Sequence, residues 1–145
     1  MKKVIAVLAG LLSGGIVMTF VQKLGHVLYP QPETMDPNDM IQLAEYVKTA
    51  PFMALFFVIL SYAAAALIAG WVSSLIAWDR KRVYALICGA VFLIQSLFMM
   101  ASLPTPLWFW ILGISMWALV EVGYRLALVT IDKKNRSRSS KREAF

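Results

Sequence analysis

The chain has 145 residues, 60% of them hydrophobic and 15% charged, with a formal net charge of +6 and a single cysteine. Ordinary soluble domains carry about 25% charged residues, so the composition speaks against a water-soluble globular domain and for a protein that lives in lipid. One cysteine excludes an intramolecular disulfide and a dithiol redox cycle, and Cys88, inside an apolar run, reads as a small packing residue.

The opening "MKKVIAVLAGLLSGGIVMTF" has the basic start and apolar centre of a secretory signal. The following "VQKLGHVLYP" contains no convincing small-x-small cleavage site, so Val4 to Val21 is expected to stay as a first membrane crossing. Ala6, Gly10 and Gly14 recur every fourth residue along it, a spacing that lets helix backbones approach closely in lipid, where water cannot drive association.

Residues 22–50 form the longest segment expected outside the membrane. Its first half, "GHVLYPQPETM", reads as irregular, because Pro30 and Pro32 exclude a regular helix and push their preceding residues toward extended backbone. In the second half Asp36 is expected to cap a short helix with Pro37 at its first position and Asp39 completing the cap. Met40, Leu43 and Val47 share one face of that helix, which should lie amphipathically on the membrane surface. His26 lies near three carboxylates, Glu33, Asp36 and Asp39, but one histidine without a second nitrogen or sulfur ligand is poor for a metal, so a solvated or hydrogen-bonded role is expected.

Three further crossings are expected at Pro51–Trp78, Val83–Leu103 and Leu107–Ile131. The second carries Ala69, Ser73 and Ala77 with Ala66 and Gly70 beside them, and the third carries Ala85 and Gly89 at the same spacing, which points to helix packing. Gln95 falls near the middle of the third crossing and is expected to bond across to another helix. The last crossing contains two charges in "WALVEVGYRLALV". Glu121, counted from Leu107, lies roughly 21 Å into a core about 30 Å thick, and Arg125 stands one turn further on, the favourable order for a same-face pair. Beyond it, residues 132–145 are basic and polar and are expected to be disordered and held near anionic lipid headgroups.

The fold class expected is therefore all-α, an integral membrane four-helix bundle with a short extramembrane amphipathic helix between its first two helices. Lys2, Lys3, Arg80, Lys81, Arg82 and the six basic residues from Lys133 to Arg142 fall on one side of this arrangement, which places both termini in the cytoplasm. Read this way the positive charge sets orientation, and no nucleic-acid partner is expected.

The segment "QKLGHVLYPQPETMDPND" after a glycine-rich first helix, together with "PTPLWFW" at the start of the last, resembles an uncharacterised family of small four-helix bacterial membrane proteins with a GHxxYPxP pattern. The likeness covers most of the chain through the fourth helix and leaves out the basic tail. It implies a bacterial plasma-membrane location and a role for Gly25, His26, Tyr29, Pro30 and Pro32 as a unit, and it brings no reaction, substrate or cofactor. Members often carry an acidic residue three positions before the Gly-His pair, where this chain has Gln22.

Enzyme classes find little support. The paired cysteines of a thiol oxidase and the paired histidines of an intramembrane metalloprotease are missing, and "GLLSGG" lies in an apolar helix without a phosphate-binding lysine. Two functions remain expected: an accessory or structural membrane protein that associates with itself or with another membrane protein, or a small transporter or channel-like oligomer working through Glu121 and Arg125. His26, Tyr29 and Gln95 are the other candidate functional residues.

Overall fold

The structure is a computed structural model that describes residues 2–30, 36, 38–77 and 81–143, with side chains defined over 4–30, 36, 38–77 and 82–139. Among the described residues the chain is entirely helical: α1 (Lys2–Leu28), α2 (Met40–Thr49), α3 (Phe52–Ile76), α4 (Lys81–Ser102), α5 (Leu107–Met116) and α6 (Leu119–Glu143). Four segments, with α5 and α6 counted as one, are long and apolar enough to cross a membrane.

The most buried helix is α3, which packs against α1, α4, α5 and α6. Its sequence explains the position. Small residues, Ala65, Ala66, Ala69, Gly70, Ser73 and Ser74, line its buried surface, and neighbours can close on it from several sides. The closest approach is to α6: a Cβ on Gly70 would run into the Val120 carbonyl, and one on Gly123 into that of Leu67. Only glycine permits two backbones to cross at such range. By contrast, Leu12, Ile16 and Phe20 on the opposite side of α1 are about two-thirds exposed, the distribution expected of side chains that meet lipid.

Several boundaries differ from those read in the sequence. α1 runs through "GHVL" to Leu28 instead of stopping at Val21, since the first helix-breaking residue is Pro30, and its restriction on Tyr29 ends the helix there. α2 is capped by Asp39, whose carboxylate accepts from the Ile41 and Gln42 amides, and not by Asp36. The Asp36 carboxylate is occupied by the Asn38 amide in a local turn that leads into the helix. Val47 is buried, Leu43 is half-buried and Met40 is exposed, so only the second half of the α2 face is covered.

The fourth apolar segment is not one regular helix. Between α5 and α6 the amides of Trp117, Ala118, Val120 and Glu121 bond to carbonyls three residues back, at 3.1–3.2 Å, which tightens a turn of the helix to 3₁₀ geometry. Trp117 holds the break. Its indole lies parallel to Phe92 at 5.4 Å and stacks on Tyr62 at 5.7 Å, while its Nε1 donates to the buried Ser96 hydroxyl at 2.9 Å. Beyond the break α6 continues to Glu143, where the sequence reading places a disordered tail from residue 132. Extending an existing helix needs no new nucleus, and an i,i+4 pair between Asp132 and Arg136 at 3.2 Å supports the extension, although the side chains from Asp132 to Ser139 are all exposed.

Candidate functional site

The two groups of candidate residues sit at opposite ends of the molecule. Glu121 and Arg125 belong to the end where α1 begins and α3 connects to α4, here called the basic end. His26, Tyr29 and Gln95 belong to the end covered by α2.

At the basic end the expected partnership is rearranged. Glu121 Oε2 accepts from Arg82 Nε at 3.1 Å, whereas the nearest approach of Arg125 Nε to the same carboxylate is 3.9 Å. The shorter contact crosses from α4 to α6 and ties the first turn of one to the first turn of the other. Glu121 is about one-quarter exposed, and both arginines are more than half exposed, so this is a surface clamp and not a buried charge pair. Sequence spacing could show the Arg125 contact but not the Arg82 one, because a partner 39 positions away is brought close only by helix packing.

At the α2 end the helices enclose a cavity of about 410 Å³. Its origin lies in the size pattern of α1. Gly10 sits against Ser73 and Cys88, and Gly14 against Ala69 and the Phe92 ring, so α1 closes tightly on α3 and α4 along its first half. One turn later come Met18 and Gln22, and these larger side chains border an open cleft toward α4. Gln95 and Met99 of α4, with Leu103 just past its end, form one wall, Leu55, Val58 and Tyr62 of α3 the floor, and Leu43, Tyr46 and Val47 of α2 the roof.

The Gly-His-x-x-Tyr segment contributes the α1 wall. A Cβ on Gly25 would meet Phe57 Cβ at 2.9 Å, so the glycine lets the end of α1 lie against α3. Tyr29 then packs on the same Phe57 ring at 6.0 Å. His26 is exposed and borders the cavity from the last turn of α1. Pro32 and Glu33, named in the sequence reading, lie outside the described residues. No group of three or more His, Cys, Asp or Glu side chains placed to ligate a metal occurs among the described residues.

Gln22, Tyr62 and Gln95 lie deeper in the cavity than His26 and Tyr29. Gln22 Nε2 donates to Ser61 Oγ at 3.3 Å, and this, not a bond from Gln95, is the interhelical amide contact of the region. Tyr62 follows Ser61 directly and stacks on Trp117, which bonds to Ser96, the neighbour of Gln95. Gln22, Tyr62 and Gln95 are thereby set around the inner end of the cavity. Among the described residues neither the Tyr62 hydroxyl nor the Gln95 amide has a hydrogen-bond partner, and no buried side-chain oxygen or nitrogen is left unsatisfied, so both groups open onto accessible space.

No family model, curated protein or solved structure matches this chain. The functional reading therefore rests on its residues and on this cavity, whose size falls within the range of small-molecule sites and whose lining is mainly apolar with a few convergent polar groups. Sequence reasoning grouped His26 with Tyr29 and took Gln95 separately; it did not assign Tyr46, Tyr62 or Thr105 to the same place, and for Tyr62 the available signal was a hydroxyl inside an otherwise apolar run.

Proposed function

We propose that the protein is a multi-pass four-helix bundle of the bacterial plasma membrane with both termini in the cytoplasm, a member of the family with the GHxxYPxP pattern. Its role is accessory: it has no catalytic chemistry of its own and associates with a membrane-borne partner molecule through the cleft between α1 and α4. The cleft carries this reading, because it gathers His26, Tyr29 and Gln95 into one mainly apolar enclosure of about 410 Å³. The orientation is supported by the basic residues at the α3–α4 connection and along the end of α6, which favour the cytoplasmic side; in that orientation the cleft belongs to the outer half of the membrane. Anionic headgroups of the inner leaflet meet the basic residues after Ile131.

The transport reading keeps one observation in its favour: a 3₁₀ turn in an apolar segment directly precedes Glu121, and tightened turns of this kind often mark hinges. It is the weaker of the two, since Glu121 is held by Arg82 at the basic end and does not line the cleft.

The test compares wild type with Ala54→Trp, which places an indole in the cleft from the first turn of α3. Extraction in mild detergent should recover a co-purifying molecule with the wild type and lose it with the variant at unchanged thermal stability. Equal recovery from both would refute the cleft as the site. A periplasm-active reporter inserted within residues 30–48 should be active and one after Phe145 silent; activity at the C-terminus would overturn the orientation.

A further inference from the structure

The polar groups of the cleft are arranged at two levels, and their spacing limits what can occupy it. The inner level holds Tyr62, Gln95 and the Ser61-bonded Gln22. The mouth holds His26, one turn further along α1, and Tyr29, just past its end, with Tyr46 on the roof. At ~1.5 Å per helical residue the two levels stand about 6–10 Å apart. Between them the walls are apolar. Among the described lining residues there is no Asp, Glu, Lys or Arg to pair with a charge, so an ionised group drawn into the cleft would lose its hydration without a counter-ion. The polar groups of the described lining are amides, hydroxyls and the His26 imidazole, which both donate and accept, and they suit hydroxyl and carbonyl oxygens.

The way in is lateral. α1 and α4 meet at Gly10 and Cys88 and at Gly14 and Phe92, and they part beyond that point, where Gln95 and Met99 are exposed along the gap. A chain attached to a bound head can leave between the two helices without opening the core. Met18, Met99 and Met100 line this apolar part, and unbranched thioether side chains adapt readily to a flexible tail.

We propose that the cleft binds the head of an uncharged lipid, one that carries hydrogen-bonding oxygens at opposite ends of a small ring or glycerol ester, with its tail passing between α1 and α4 into the outer leaflet. The proposal rests on the cleft being the functional site and adds the chemistry of its occupant. Tyr62 and Gln95 grip the inner oxygen, and the mouth tyrosines and His26 grip the outer one. Selection against charged heads follows from the uncharged amides and hydroxyl of the inner level.

Two natural sources share this chemistry, a monoacylglycerol and an isoprenoid or alkyl quinone, and the experiment separates them. Full-length protein in maltoside micelles is titrated calorimetrically with monoolein, a short-chain alkyl benzoquinone, oleate, oleylamine and squalane. At least one of the two neutral oxygen-bearing lipids should bind saturably and about tenfold or more tighter than the charged or headless chains, the margin that a single lost hydrogen bond or stranded charge produces. The tighter of the two identifies the source. Tyr62→Phe keeps the ring on Trp117 and Gln95→Leu keeps the bulk, and each should weaken that binding by up to about tenfold through one missing hydrogen bond. If oleate or oleylamine binds as tightly as the neutral lipids, or if both substitutions leave affinity unchanged while Ala54→Trp abolishes it, the head-group assignment fails and the cleft survives. If no probe binds the wild type, or Ala54→Trp binds as well as the wild type, the assignment fails together with the cleft as a site.

Discussion

The basic end and the α2 end are built from the same helices yet pack in opposite ways. Near the basic end, Ala6, Gly10 and Gly14 of α1 face Ala69, Ser73, Cys88 and Phe92, while Gly70 and Gly123 bring α3 and α6 into backbone contact. At the α2 end, Met18 and Gln22 on α1 and Gln95 and Met99 on α4 border a cleft instead of closing it. The difference teaches that residue size along a shared helix decides where the molecule is solid and where it can receive something. Trp117 sits between the two regimes, stacked on Phe92 toward one and on Tyr62 toward the other.

That junction offers the largest test. Trp117→Ala removes two aromatic stacks and the bond to Ser96, and it should cost about 3–5 kcal/mol of stability by thermal or denaturant unfolding in detergent. A loss no larger than that of a surface substitution would mean the break is not held by this side chain. Next is Gly70→Ala, which sets a methyl against the Val120 carbonyl, where backbone cannot yield. It should cost near the upper end of about 1–3 kcal/mol. Gly15→Ala provides the contrast, since nothing lies within 4 Å of the position, and it should be neutral or slightly stabilising through helix propensity. Equal effects at the two glycines would dissolve the distinction between a packed face and an open one.

A smaller effect sharpens the account of the clamp. In double-mutant cycles with Glu121→Gln, Arg82→Gln should show a coupling of roughly 0.2–1 kcal/mol, as exposed ion pairs do, and Arg125→Gln a coupling near zero. The order would reverse if the sequence-local pair were the stronger one. Least of all should removal of residues 135–145 matter: the side chains of α6 from Asn135 to Ser139 are exposed, so unfolding should shift by no more than about 0.5 kcal/mol. A larger shift would show that the extension is docked.

Much of this was legible in the chain. Apolar runs of sufficient length marked four segments able to cross a membrane, because in lipid every backbone polar group must be satisfied within its own helix. The expected starts of the second and last crossings, Pro51 and Leu107, fall within one residue of the observed starts of α3 and α5, each of which has a proline at its N-cap. The small-residue spacings pointed to the positions where helices meet, Gly10 and Gly14 among them.

What the chain did not disclose lies in contacts between residues far apart in order. The break at Trp117 has no proline or glycine pair to announce it; it exists because the indole is clamped by Phe92, Tyr62 and Ser96 from other helices. Arg82 read as one more basic loop residue until packing set it beside Glu121. Gln95 read as an interhelical bond, and the bond went to Gln22 and Ser61 because α1 and α4 diverge where Gln95 stands. By itself the sequence determined the four long apolar segments and their small-residue faces, since these follow from local backbone chemistry and transfer to lipid. Only the tertiary structure decided which side chains share the cleft, because a cavity is made by several helices failing to close together and belongs to no single one of them.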